Sequence, residues 1–166
     1  MSAEIHRVRA RYAASADAAC RQSSIDALAE FGEEITVTVL GARAKEAMAA
    51  WPGEREWNWD DILRAYRGPK MLAFAIWHGE NLCAVGLVTV GEGSVTLKYV
   101  EGALPACPLT GVRTEIALQV AACYAAACGR ATLRIEPIRP TLMDRCQTEW
   151  GFIPDPTAKG YFRKDV

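Results

Sequence analysis

The chain has no hydrophobic run approaching the roughly 20 residues that cross a bilayer, which argues against a membrane span. It has no block of like charge, because 19 Lys and Arg stand against 20 Asp and Glu for a formal net charge of -1. A wholesale nucleic-acid or membrane-surface role therefore has no electrostatic support, although a local basic pocket remains compatible. There are only two histidines, His6 and His78, and neither spacing suits a Ser-His-Asp or Cys-His nucleophile, which argues against a hydrolase. None of the six cysteines (Cys20, Cys83, Cys107, Cys123, Cys128, Cys146) stands at CxxC spacing from another, so no structural metal is expected. Residues 1–12 are polar and basic without an apolar core, so no secretory leader is expected either. Together these absences lead us to expect a reduced, cytoplasmic protein whose thiols serve as small buried hydrophobes.

What is present suits one folded unit. The 166 residues are 51% hydrophobic, largely through alanine, and can bury a substantial core. Residues 15–31 are alanine-rich, with Ala19, Ile25, Leu28 and Phe31 loosely at helical spacing, so one or two short helices are expected before Gly32. Residues 5–12 are compatible with a strand as well. The β-rich run 35–40 predicts a strand, and 42–51 a helix stopped by Pro52-Gly53. Asp60 or Asn58 can cap a helix over 61–67. Residues 71–78, 82–90 and 94–100 predict a three-stranded meander, joined by turns at Gly79-Glu80-Asn81 and Gly91-Glu92-Gly93. In its third strand Val95, Leu97 and Tyr99 alternate with Thr96 and Lys98. A loop over 101–110, with Pro105 and Pro108 each removing an amide donor, precedes the longest helix, about 111–128. Val112, Ile116, Val120, Cys123 and Ala127 form its apolar stripe. A strand over 131–136, a helix over 141–150 and a closing strand over 161–164 complete the order. A long helix joining two strands after a meander predicts a mixed sheet in an α/β (α+β) domain.

The segment Thr132-Leu133-Arg134-Ile135-Glu136-Pro137, then a helix, then Trp150-Gly151-Phe152 and Gly160-Tyr161-Phe162-Arg163-Lys164, resembles the second half of the GNAT superfamily of acyl-CoA-dependent N-acyltransferases. The meander and the long helix resemble its cofactor-binding half. The resemblance implies a GNAT-like mixed central sheet flanked by helices over 35–166, with 1–34 as an N-terminal helical extension. It implies acetyl-CoA (coenzyme A) as cofactor, and acetyl or other acyl transfer to an amine of a small molecule or protein. The splayed strand end and the following helix N-terminus would hold the cofactor through Val100, Leu109, Thr110, Gly111, Val112, Arg113 and Thr114. Pro108-Leu109-Thr110-Gly111-Val112-Arg113 keeps one glycine of the family's phosphate loop, and Pro140 stands near the usual loop Asn.

Acyl transfer needs a neutral amine, a polarised carbonyl and a proton for the leaving sulfur. Glu101 stands where the family places a carboxylate base, and Glu136 ends the next strand; the pair can instead bind a cationic amine. The family's Tyr acid is replaced by Gln147, leaving Cys146 as the nearest proton-bearing side chain, although it lies on an apolar stripe. Tyr99 adjoins the expected cleft, and Trp51, Trp57 and Trp59 either wall an aromatic acceptor pocket or cover the core. The alternative is a catalytically weak or inactive binding module of the same fold acting through a protein partner. The balanced charge weighs against a nucleic-acid target. The alanine-rich extension and the final strand would suit a homodimer.

Overall fold

The structure, a computed structural model, describes residues 2–103, 107–137 and 139–166, so Pro105 lies outside the described residues. The chain order is α1 (Ser2–Phe31), β1 (Ile35–Val39), α2 (Ala42–Ala49), α3 (Trp59–Ala65), β2 (Met71–His78), β3 (Asn81–Val90), β4 (Ser94–Gly102), α4 (Arg113–Ala127), β5 (Thr132–Ile135), α5 (Pro140–Thr148), β6 (Ile153–Pro154) and β7 (Phe162–Asp165). The strands form one mixed sheet in the order β1-β2-β3-β4-β5-β7-β6. Every pairing is antiparallel except β4 with β5. The expected mixed α/β architecture is therefore present. Among the described residues no helix is long and apolar enough to cross a membrane.

Period-two alternation in β2 shows how the sheet is covered on both faces. Leu72, Phe74 and Ile76 join the core under α1 and α4, while Ala73, Ala75 and Trp77 join the core under α2 and α3. Gly86 is opposite Phe74 in register, and the absence of a side chain there lets the ring lie flat over the β3 backbone.

The N-terminal segment is one continuous helix rather than two short ones or a strand. Residues 2–31 contain neither glycine nor proline, and their many alanines favour helix. Its buried stripe is Tyr12, Ala16, Ala19, Cys20, Ser23 and Ala27. Ile25 and Leu28, which the spacing placed toward the core, are 61% and 54% exposed. Small residues win this contact because the partner is another helix: Ala117, Ala121 and Ala125 of α4 are fully buried, so the two backbones approach closely. The sheet covers one side of α4 and α1 the other. This explains why Tyr124 and Leu118 are buried along with Ile116 and Val120, whereas Val112 and Cys123 of the expected stripe are half-buried and Ala127 is exposed. Ser24 Oγ accepts the Val37 amide at 2.9 Å, so α1 also satisfies part of the free edge of β1.

Cys83 and Cys107 form a disulfide, with Cα atoms 5.8 Å apart, whereas the sequence suggested six free thiols. Between Ile76↔Ala84 and Trp77↔Leu82 the ladder skips Cys83, so a bulge presents its side chain out of the regular alternation. A 24-residue separation gives no local hint of that meeting. Cys20, Cys123, Cys128 and Cys146 remain free.

The β6–β7 hairpin, which the sequence reading missed in its first strand, is fixed by Asp155. Its Oδ1 accepts from Thr157 N at 2.9 Å and Thr157 Oγ1 at 2.7 Å. Its Oδ2 lies 2.9 Å from Arg134 Nε of β5, an ion pair whose angle is not that of a hydrogen bond. The Thr157 hydroxyl, then its amide, then Arg134 hold this carboxyl below its ordinary range. A depressed acid contributes stability above its unfolded pKa of roughly 4 and loses it as pH falls through the lower folded value. Asp155→Asn should therefore unfold at lower urea than the parent at pH 7, and the gap should shrink on acidification toward pH 3. A gap that stays constant with pH would remove the linkage.

Candidate functional site

The site begins with a slip in β4. Val95, Thr96 and Leu97 pair with Val90, Thr89 and Val88; the ladder then resumes at Tyr99↔Leu87, leaving Lys98 as an extra residue. One extra residue moves every following side chain to the other face. Val95 and Leu97 thus enter the core beneath α4, whereas Tyr99 turns toward α2 and α3. The regular alternation expected through Tyr99 is corrected by this bulge. Trp57, Trp59 and Tyr66 meet the Tyr99 ring edge-on at 5.4, 6.3 and 6.2 Å. Burial, then the neighbouring Tyr66 hydroxyl, then the charge of Glu136 raise the Tyr99 pKa, so its phenol keeps its proton.

Glu101, two residues on, shares that face and is 6% exposed. Its Oε1 accepts from the Trp57 amide at 3.1 Å and the Trp59 indole N–H at 3.4 Å. No hydrogen bond from a described residue reaches Oε2, and the residue forms part of a cleft of about 350 Å³. Asn58 caps α3 by accepting the Asp61 amide, which fixes the turn carrying both tryptophans.

The cleft opens where β5 stops. Pairing of β4 with β5 ends at Leu97↔Ile135, yet β4 continues to Gly102 on β3. Residues 98–102 therefore present a backbone edge without a strand partner among the described residues, and Glu136 lies at the opposite lip, exposed. Val100, Arg113 and Thr114 also line the space.

The expected phosphate-binding amides divide into two groups. Leu109 N bonds Cys107 Sγ, Thr110 N bonds Cys107 O, and Val112 N bonds Leu109 O, so those three are used within the turn. Leu109 itself is 1% exposed and anchors the turn in the core, and the Thr110 hydroxyl is bonded to Cys107 O. Gly111, at φ +97°, Arg113 and Thr114 have no such bond among the described residues, and the last two open α4. Arg113 Nη1 donates to Ala103 O at 2.7 Å, and its guanidinium lies against Gly102, where any Cβ would collide with it. Gly102 thus leaves room for the Arg113 side chain, a contact the sequence alone did not suggest. Burial pushes the Arg113 pKa down.

Cys146 is corrected. It is fully buried, burial pushes its thiol up to about 11, and it lines no part of the cleft. Gln147 beside it is exposed. Sequence reasoning missed Arg139, which begins α5 and pairs with Glu56 at 3.4 Å, linking the α5 end to the α2–α3 connection.

No family model and no curated protein matches the chain. Solved structures do. The ribosomal-protein-S18-alanine N-acetyltransferase from Escherichia coli superposes with a TM-score of 0.60 at 16% identity, covering 80% of this chain and 94% of that one. The PaiA N-acetyltransferase from Thermoplasma acidophilum, in complex with coenzyme A, gives 0.57 at 13% identity, covering 80% and 99%. AtaT complexed with acetyl-methionyl-tRNAfMet gives 0.55 at 13%, covering 79% and 94%. At these identities the likeness establishes the fold, and the fold is that of the GNAT N-acetyltransferases.

The shared hydrogen bond makes Trp59 and Glu101 energetically coupled. A double-mutant cycle of Trp59→Phe and Glu101→Gln, measured by urea unfolding, should show a coupling of about 1 kcal/mol. Strict additivity would mean the indole N–H does not hold the carboxylate.

Proposed function

We propose that this protein is an N-acyltransferase that moves an acetyl (acyl) group from acetyl-CoA to an amine by direct attack, in the cytoplasm. The observation that carries this reading is a buried carboxylate with one oxygen held and, among the described residues, no hydrogen bond to the other, set in a cleft between a strand edge that β5 does not cover and a helix N-terminus. Acetyltransferases with the same fold support acyl transfer in general.

The residues present fit coenzyme A. The edge at 98–102 suits an extended arm bearing amides of its own, and Val100 lies within it. The free amides of Gly111, Arg113 and Thr114, with the α4 dipole and the Arg113 charge, suit a pyrophosphate. Acetyl-CoA supplies the thioester carbonyl that the amine attacks. Glu101 takes a proton from the incoming ammonium at Oε2 while Trp57 and Trp59 keep Oε1 in place. Glu136 at the lip draws in the cationic acceptor. Tyr99, which keeps its proton and lines the same cleft, is the proton donor the geometry offers in place of Gln147 and Cys146.

The second reading, a binding module of the same fold without efficient catalysis, is favoured by the three loop amides already bonded within the turn. Calorimetric titration of acetyl-CoA separates the two. Binding is expected, and Arg113→Ala should weaken it about tenfold; no heat at millimolar cofactor would sink the enzyme reading, and unchanged affinity in the variant would remove Arg113 from the phosphate site. Glu101→Gln should retain acetyl-CoA affinity but lower kcat about 100-fold in a thiol-release assay with primary amines. An unaltered rate would dismiss Glu101 as the base.

A further inference from the structure

A second cavity, of about 550 Å³, lies beside the α2–α3 connection and shares Arg55, Glu56 and Trp57 with the cleft. Three of the chain's five tryptophans, Trp51, Trp57 and Trp59, line it with Met48 and Leu63. Two of the indole N–H groups are spent on the protein: Trp51 Nε1 donates to Leu82 O at 3.2 Å, and Trp59 Nε1 to Glu101. Their polar edges are thus satisfied; Trp59 is buried, so the half-buried Trp51 and Trp57 supply the wall. Arg55 donates to the carbonyls of Trp51, Pro52 and Gly53 and lies 5.2 Å over the Trp51 ring. That stitching preforms the recess, whose volume falls within the range of small-molecule sites.

We infer that this recess takes the aromatic body of the acceptor, and that the acceptor class is a primary amine carried on a short chain from an aromatic ring. The inference rests on the acyl-transfer reading and adds the substrate class to it. Aromatic rings fit because indole walls offer offset and edge-on contacts that an aliphatic body cannot match. The chain is short because wall and proton acceptor touch: Glu101 is bonded to the Trp57 backbone and the Trp59 indole. A ring seated against Trp57, which the recess shares with the cleft, therefore directs a short amine-bearing chain toward Glu101.

Two measurements on the full chain test this. In the thiol-release assay with acetyl-CoA, kcat/KM for 2-phenylethylamine should exceed that for ethylamine by about tenfold or more. Ala49→Phe, at the exposed end of α2 on the recess rim, should bring the ratio to ethylamine down to about one. Without cofactor, 2-phenylethylamine should change tryptophan emission saturably in the parent, and the variant should lose that response while keeping its melting temperature. Equal rates for the two amines, or a saturable response that survives Ala49→Phe, overturns the inference, as does the absence of any saturable response. A saturable response that Ala49→Phe abolishes, with no transfer to any amine, leaves the recess as an aromatic-amine site and fails the acyl-transfer reading instead.

Discussion

Everything distinctive in this molecule follows from one parallel junction in an otherwise antiparallel sheet. A parallel neighbour cannot be reached by a tight turn, so the chain between β4 and β5 must cross a face of the sheet, and α4 is that crossing. The crossing brings the helix N-terminus back over the far end of β4. Because only four residues of β5 pair, the strands part company under that N-terminus. A backbone edge with unpaired donors and acceptors, an electropositive helix end and an opening between strands are one geometric event seen from three sides.

The Lys98 bulge decides which chemistry occupies that opening. Were β4 regular, Tyr99 and Glu101 would project beneath α4 with Val95 and Leu97, away from the α2–α3 connection. The bulge instead delivers Glu101 to a backbone amide and an indole N–H on the α2–α3 connection. That connection is otherwise held by side-chain bonds such as those of Asn58 and Arg55, so the carboxylate also anchors the loop that walls the cleft. A buried charge with one partnered oxygen costs stability unless something is gained at the other oxygen, which is how functional carboxylates differ from structural ones.

Much of this was legible in the sequence, and the boundary of what was legible is physical. The meander was visible because its turns are local: Gly79 sits at φ +58°, a conformation few other residues accept. The Gly151 and Gly129 helix stops were visible for the same reason. The bulges at Lys98 and Cys83 were not, because a slip of register is a negotiation between two strands and leaves no mark in either alone. Helix α1 was misjudged where hydropathy and packing disagree: Ile25 and Leu28 look like core, yet alanine and serine make the contact. At the site, Glu101 was expected from the family resemblance and Glu136 from its place at the end of the next strand, whereas the grip of Trp59 on Glu101 spans 42 positions and is invisible to any local pattern. Cys146 was close in sequence to the family's acid but its helix turns it inward.

Helix α1 has a consequence for how the chain becomes folded. It is the first element in the chain, yet its principal neighbour is α4, separated from it by the whole meander, and its second is the edge strand β1. An alanine-rich helix can form early by itself, but until residue 127 has emerged from the ribosome its buried face has little to rest on. Docking of the helix on α4 must therefore wait for the crossover, although its contact with β1 is local. Contacts of such long sequence separation slow folding.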